Sequence, residues 1–212
     1  MQLFHFLSSK YALDALANQK IKVSLFDSLN DPFELLAAGT GESEARSILT
    51  NTKSRMAEEL RLLCCSKTWN EPLLWSHYAD KHKGIALVLE VPDEVVIHVE
   101  YTHERKLLDL KALLNADDAD AVLPISNMLL NTKYEGWRYE DEARLLFNTR
   151  QTVAIGDHEF VCCDDLLKIT GLILGPLCEI DEREIQNKNK SNIEIKTTFS
   201  RLADNSFEVI GE

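Results

Sequence analysis

Short apolar segments separated by turn residues constrain this chain more than any other feature of its sequence. Segments such as 85–91 and 142–148 have the length and the apolar or alternating pattern of strands, and Gly, Pro, Asn or Asp residues punctuate the chain between such segments. Strands outnumber helices without a regular βαβ alternation, so we expect an α+β fold with a central mixed or mostly antiparallel sheet and flanking helices. No linker-like stretch interrupts residues 1–212, which we expect to form a single globular domain.

Charge and hydropathy exclude several classes of partner. The chain has 35 acidic and 23 basic residues, a formal charge of −12, which disfavours non-specific binding to a phosphate backbone. The longest apolar runs are far shorter than the roughly 20 residues that cross a bilayer. The N-terminal segment lacks the pattern of a secretory signal, so we expect a cytoplasmic protein without a membrane partner. We interpret the five cysteines as buried thiols.

The segment from Lys133 to Phe147 is the richest in chemistry-bearing residues. If a strand begins near Glu140, its alternation places Glu140, Glu142 and Arg144 on one face and apolar residues on the other. Two carboxylates beside an arginine can divide the tasks of holding a ligand hydroxyl and stabilising positive charge, or one can act as a base. Trp137 and Tyr139 add aromatic surface of the kind that lines ligand pockets. The alternative is a solvated strand face with a surface ion pair.

A second group lies on a helix that we expect Asn70 to cap and Gly84 to end. Trp75 and Tyr78 are three residues apart and share a helix face, whereas His77 points elsewhere. Such an aromatic pair belongs either to a core or to a binding site. The histidine lacks a partner at the spacing of a zinc motif, so no metal site is predicted here.

A third group lies near the N-terminus. In an alternating strand His5 points away from Phe4 and Phe6, so it can face a cleft while the two phenylalanines enter the core. Asn30 and Asp31 precede Pro32 in a turn that either is purely structural or organises a binding loop. The sequence contains no phosphate-binding glycine loop, dinucleotide fingerprint or nucleophile elbow. This absence argues against a kinase, a classical dehydrogenase and a serine hydrolase.

Several motifs, taken in order, resemble the bacterial domain-of-unknown-function family two-nine-seven-one over about residues 3–178. They are Asn30-Asp31-Pro32-Phe33-Glu34, Cys65-Ser66, the string from Leu74 to Gly84, Lys133 with Trp137, Tyr139-Glu140 with Glu142 and Arg144, and Ile173-Leu174-Gly175-Pro176. The string that contains Trp-Ser-His-Tyr-Ala-Asp makes the resemblance fairly specific.

The order of elements is more distantly similar to the ADP-ribosyltransferase layout. That similarity implies NAD as a substrate, with His5 at the nicotinamide riboside, Glu142 on a ribose hydroxyl and the oxocarbenium-like transition state, and Glu140 orienting the acceptor. It implies that Lys133 and Arg144 meet the pyrophosphate. The remaining residues that we expect to bind the small-molecule nucleotide are Asn30, Asp31, Trp75, His77, Tyr78, Trp137 and Tyr139.

These expectations define three functions. The first is an NAD-dependent ADP-ribosyltransferase-like enzyme without a metal, with Glu142, Glu140 and His5 as catalytic residues, acting as a toxin or phage-defence effector. The second is a non-catalytic nucleotide- or protein-binding module that uses Trp75, His77, Trp137 and Arg144. The third is a nuclease or other hydrolase with a divalent metal on Glu140, Glu142 and Asp31. The first requires His5, Asn30, His77 and Glu142 to line one cavity.

Overall fold

A mixed sheet of eight strands organises the residues that the computed structural model describes, which are 1–31, 33, 38–39, 43–107 and 126–212. The helices among them are α1 (Ser9–Asn18), α2 (Ser43–Glu59), α3 (Pro72–Tyr78) and α4 (Glu182–Lys188), and residues 126–131 are also helical. The strands are β1 (Gln2–Leu7), β2 (Lys20–Lys22), β3 (Ala38–Gly39), β4 (Leu60–Ser66), β5 (Ile85–Glu90), β6 (Val96–His98), β7 (Glu100–Thr102), β8 (Lys106–Leu107), β9 (Thr132–Tyr134), β10 (Glu142–Asn148), β11 (Thr152–Ile155), β12 (His158–Cys162), β13 (Lys168–Leu174), β14 (Lys196–Leu202) and β15 (Val209–Gly211).

The order of strands in the large sheet is β15-β14-β13-β5-β1-β4-β10-β6. Neighbours pair antiparallel except β13 and β14, which pair parallel. The predicted α+β class with a mixed, mostly antiparallel sheet is confirmed. Three smaller pairings complete the described strands: β11-β12-β2, β3-β8 and β7-β9.

Both faces of the sheet are covered, which explains why the central strands read as apolar runs. On one face, leucines of β1, β4, β5 and β13 pack with α1 and with Ile185 of α4. On the other face, Phe4 and Phe6 pack with Trp75 of α3, and Leu62 packs with Met56 of α2. The second face also carries the polar residues of β10 that are described below.

Helix α3 is shorter than the sequence predicts. Its N-cap is Glu71, whose side chain accepts the backbone N–H of Leu73, rather than Asn70. The helix ends at Tyr78 because the next residues turn back sharply, with positive φ angles of 45° at Asp80, 54° at Lys81 and 71° at His82. Contrary to our expectation, Gly84 therefore does not end the helix; it lies directly before β5, where the chain returns to the sheet.

Two of the predicted segments fall partly or wholly outside the described residues. The predicted turn at Asn30-Asp31-Pro32 includes Pro32, which lies outside them, as does most of the helical material that we expected between Leu107 and Tyr134. Within the described part of that second segment, a helix over residues 126–131 leads directly into β9. No helix among the described residues is long and apolar enough to cross a membrane.

Candidate functional site

A partly closed cavity of about 220 Å³ lies against the second face of the sheet, over β1, β4 and β10. Its wall combines aromatic rings with polar side chains. The lining residues are Phe4, His5, Phe6, Ser24, Ser28, Leu29, Asn30, Cys64, Cys65, Ser66, Leu74, Tyr78, Lys133, Glu140 and Glu142. The structure brings His5, Asn30 and Glu142 to one cavity, which are three of the four residues that the first hypothesis requires there. His77 is not among the described lining residues.

The cavity lies where two strands of the sheet separate. β1 pairs with β4 only at Phe4 and Ser66, and further along β4 the partner of Leu62 is Ser24, from the segment after β2. Between these two pairings, no strand among the described residues lies opposite the carbonyl of Cys64 to bond it. The His5 ring bonds this carbonyl through Nδ1 at 2.8 Å and so replaces a ladder hydrogen bond.

That bond determines which nitrogen of His5 carries the proton. A carbonyl oxygen only accepts, so Nδ1 donates and Nε2 of the neutral ring is a free acceptor. Burial lowers the pKa of His5, an effect that the bond to the Cys64 carbonyl only partly opposes. The ring is therefore neutral at pH 7 and offers a hydrogen-bond acceptor rather than a positive charge.

Two carboxylates and two cations form a compact cluster in the cavity wall and directly behind it. Lys133 Nζ lies 2.5 Å from Glu140 Oε2 and 2.9 Å from Glu142 Oε2. Arg144 meets Glu142 with two parallel bonds, Nε to Oε1 at 2.8 Å and Nη2 to Oε2 at 3.0 Å. All four side chains are nearly excluded from solvent, so these pairs are screened far less than surface pairs.

The two glutamates have opposite pKa shifts. Burial alone would raise the pKa of Glu142, but Arg144 and Lys133 outweigh it and lower the pKa to about 2. Burial raises the pKa of Glu140 despite its bond to Lys133 and the hydrogen bond that the Tyr78 hydroxyl donates to it. Glu142 is thus ionised at neutral pH, and Glu140 is the more readily protonated of the two carboxylates.

The backbone explains how residues from different elements reach this cluster. Glu140 is the last residue of a 3-10 helix over Glu135–Glu140, and β10 starts only at Glu142. Asp141 lies between them with φ 40°, a left-handed conformation that reverses the chain. The condition that a strand begins near Glu140 is not met, so Glu140 does not lie on the strand face; Glu142 and Arg144 share the polar face of β10, as the alternation predicted.

Tyr101 is a site residue that the sequence did not reveal. Its hydroxyl accepts the backbone N–H of Glu142 at 2.8 Å, at the first residue of β10. Tyr101 is in register with Lys133, because β7 and β9 pair parallel. This pairing joins segments about thirty residues apart across a stretch outside the described residues, and no local pattern signals it.

Arg144 is a correction to the predicted ligand contacts. Its side chain is 0% exposed, and besides Glu142 it bonds the carbonyl of Leu130 through Nη1 at 2.8 Å. A guanidinium buried in this way cannot meet the pyrophosphate of a ligand in the cavity. Its role is to hold Glu142 ionised and correctly oriented. The alternative of a solvated strand face is also wrong, since Glu142 is 3% exposed.

Trp75 is the second correction. The ring is 0% exposed, packs edge-on against Phe6 with centroids 5.0 Å apart, and donates its indole N–H to the Trp69 carbonyl. It is therefore a core residue and not a ligand contact. Asp31 is also buried, accepts the backbone N–H of Phe33 at 2.9 Å, and is not among the described residues that line the cavity.

The other predicted aromatic residues lie at the edge of the cavity. Tyr78 lines it, and the rings of His77, Tyr139 and Trp137 follow in that order, each about 6 Å, centroid to centroid, from the ring before it. His77 is exposed, and Tyr139 and Trp137 are half-buried. These rings remain available to a ligand that extends beyond the cavity.

Burial disfavours nucleophilic chemistry at the cysteines beside the cavity. Burial raises the pKa of the Cys64 and Cys65 thiols, and the negative charge of Glu142 raises both further, so both stay protonated and weakly nucleophilic. Within the described ranges no three His, Cys, Asp or Glu side chains are grouped as metal ligands. The position between Glu140 and Glu142 is taken by the ammonium of Lys133.

Comparison of the chain with protein-family models, with curated proteins and with solved structures finds no match. The family resemblance and the ADP-ribosyltransferase layout therefore stay predictions.

Proposed function

We propose that this chain cleaves the bond between nicotinamide and ribose in NAD and transfers ADP-ribose to an acceptor. The observation that carries the proposal is the placement of Glu142, an ionised carboxylate, in the wall of a partly closed cavity beside Glu140, whose pKa is raised. Pairs of carboxylates with divergent pKa values are typical of sites that stabilise a sugar cation with one group and move a proton with the other.

The reaction assigns each group one task. The bond from ribose C1′ to the nicotinamide nitrogen breaks, and its electron pair stays on nicotinamide, which leaves as a neutral ring. Glu142 stabilises the positive charge that develops on the ribose, because a fixed carboxylate acts strongly where water is excluded. Glu140 takes the proton of the acceptor as its heteroatom bonds C1′. His5 Nε2 accepts a hydrogen bond from a ribose hydroxyl.

The size of the cavity fits one end of the substrate. Small-molecule pockets are typically about 300–1,000 Å³, and this cavity is about 220 Å³. It suits a nicotinamide riboside better than a whole dinucleotide. The aromatic surfaces of Phe4, Phe6 and Tyr78 supply apolar walls for the planar nicotinamide ring.

Release of nicotinamide from NAD by the purified full chain tests the proposal. Glu142→Gln keeps the side-chain shape and removes the charge, and we expect it to lower turnover by about 10²- to 10³-fold, as loss of a preorganised transition-state contact does. Glu94→Gln, at an exposed position far along the chain from the cluster, is the matched control and should retain full turnover. Full activity in Glu142→Gln would refute the assignment.

Because Glu142→Gln also changes a buried ion pair, its fold needs a separate check. Circular dichroism and the unfolding midpoint show whether the variant is folded under assay conditions. Glu140→Gln provides a second variant, since the bonds described for Glu140 are to Tyr78 and Lys133. Loss of turnover in a folded Glu140→Gln protein supports the role of Glu140 as base, and unchanged turnover contradicts it.

One observation favours a second function, a non-catalytic nucleotide-binding module. The formal charges of Glu140, Glu142, Lys133 and Arg144 sum to zero, so the cluster can also serve as a structural unit that positions a bound ligand without reacting with it. Thermal-shift measurements with NAD separate the two functions when turnover is measured in parallel. A binding module is stabilised by NAD without consuming it.

A further inference from the structure

Three rings outside the cavity form a continuous aromatic surface, which we call the aromatic rim: His77, Tyr139 and Trp137. Ring centroids are 6.0 Å apart from His77 to Tyr139 and 6.0 Å apart from Tyr139 to Trp137, with interplanar angles of 32° and 42°. The rings come from two elements, the last turn of α3 and the 3-10 helix that ends at Glu140. They are at least partly accessible to solvent.

Both ends of the aromatic rim join the cavity. At one end His77 lies 6.1 Å, centroid to centroid, from Tyr78, which lines the cavity and bonds Glu140. At the other end Lys133 Nζ, which also lines the cavity, lies 5.3 Å from the centroid of the Trp137 ring. A ligand whose reacting end occupies the cavity therefore meets the aromatic rim as soon as it extends outward.

We infer that the aromatic rim is a stacking subsite for the purine base of the dinucleotide, while the cavity holds the nicotinamide riboside end. The inference rests on the proposed function and adds the position of the adenine half. A dinucleotide exceeds the cavity, so its second base must lie outside it. Aromatic side chains stack on any base through its π-face, and this rim is the ring surface that adjoins the cavity at two points.

The charge of the protein favours a single nucleotide over a nucleic acid on this surface. Grooves that bind single-stranded nucleic acids combine aromatic rings with a row of Lys and Arg side chains along the phosphate backbone. The net charge of −12 on this chain disfavours such binding. Beside the aromatic rim, Arg138 is exposed but paired with Glu135. One base and its phosphates match this supply of positive charge better than a long strand does.

Two ligands that share the scissile bond provide the test. NAD contains the purine base, and nicotinamide mononucleotide lacks it. We expect Trp137→Leu and Tyr139→Leu each to raise the Kd of NAD, and that of adenosine monophosphate, roughly 5- to 150-fold, which corresponds to loss of one base stack. The Kd of nicotinamide mononucleotide should change less than twofold. Calorimetric titration of the full chain measures all three.

Trp69→Leu and Tyr134→Leu are the matched controls, since both residues carry a ring outside the aromatic rim and Tyr134 is exposed. Circular dichroism verifies that every variant is folded. Unchanged NAD affinity in both rim variants overturns the inference, and so does an equal loss for nicotinamide mononucleotide, because that ligand has no purine. Failure of wild-type protein to bind adenosine monophosphate also overturns it.

The same experiment distinguishes failure of the subsite from failure of the proposed function. If adenosine monophosphate binds in a way that depends on Trp137, but no nicotinamide is released from NAD, the inferred subsite is supported and the proposed transferase activity is rejected. If the protein releases nicotinamide from NAD, and neither rim variant changes the rate, the transferase activity is supported and the inferred subsite is rejected.

Discussion

Replacement of Arg144 by methionine should destabilise the protein strongly. The guanidinium is fully buried and bonds both oxygens of Glu142 as well as the Leu130 carbonyl. Removing one partner of a buried ion pair costs about 3–5 kcal/mol, because the other charge is left uncompensated. For a chain of 212 residues this corresponds to a fall in Tm of about 6–20 °C. Lys133 remains 2.9 Å from Glu142, which favours the lower half of the range.

A double-mutant cycle with Glu142→Gln attributes the loss to the pair. If the cost arises from an unpaired charge, Arg144→Met combined with Glu142→Gln should be less destabilising than the sum of the single variants by about 1–3 kcal/mol. Urea unfolding followed by circular dichroism gives these values, provided that the m value is unchanged. Arg138→Met, which breaks an exposed pair with Glu135, should leave the midpoint nearly unchanged. Additive effects within about 0.5 kcal/mol would refute the reasoning.

Three further predictions follow from single contacts. Because the pKa of Glu140 is raised and the base is its ionised form, kcat/KM should rise with pH through a midpoint above that of an ordinary glutamate, and Glu140→Gln should abolish this rise. Gly84→Ala places a Cβ 2.1 Å from the carbonyl oxygen of Leu7, at the end of β1, and should lower the free energy of unfolding by about 1–3 kcal/mol in a urea titration. Gly211→Ala, whose Cβ has its nearest contact at 3.5 Å, should have little effect in the same titration. Tyr101→Phe leaves the N–H of Glu142 without its acceptor; turnover should fall while the Kd of NAD stays within twofold, and an unchanged kcat would contradict the positioning role.

The sequence predicts those features of the site that depend on local periodicity. The strand from Glu142 to Asn148 has the predicted bounds, and a period of two places Glu142 and Arg144 together on one face. Periodicity does not reveal whether a charged face meets solvent or protein. Here residues 126–131 and α2 cover that face, so Arg144 is buried where an exposed ion pair was the simpler expectation.

Features that depend on contacts between distant segments could not be predicted from the sequence. His5 bonds a carbonyl 59 residues away because β1 and β4 separate, and the separation depends on the bridge between Ser24 and Leu62. The position of Tyr101 depends on the parallel pairing of β7 and β9. Each of these contacts brings together groups whose spacing along the chain carries no periodic signal.

In the string from Leu74 to Gly84, on which the predicted family resemblance chiefly rests, more residues serve the fold than the candidate site. Trp75 belongs to the core, and Gly84 lies where any side chain would collide with the backbone. The carbonyl of Gly84 accepts the N–H of Gly175, and that of His82 accepts the N–H of Leu177, so the left-handed turn fastens the end of β13 to the start of β5. Of this string, Tyr78 and His77 are the residues that reach the site or its edge.

The neutrality of the charge cluster has a consequence for the proposed reaction. Glu142 can compensate a developing sugar cation only if its own charge is not already matched, and in this structure both Arg144 and Lys133 match it. At least three hydrogen bonds and full burial fix Arg144, whereas the ammonium of Lys133 ends a flexible side chain beside the cavity and the Trp137 ring. The pyrophosphate of a bound dinucleotide is the group that would draw Lys133 outward. The proposed function therefore requires Lys133 to exchange its carboxylate partners for phosphate when substrate binds, which leaves Glu140 and Glu142 with a net negative charge at the moment the ribose becomes positive.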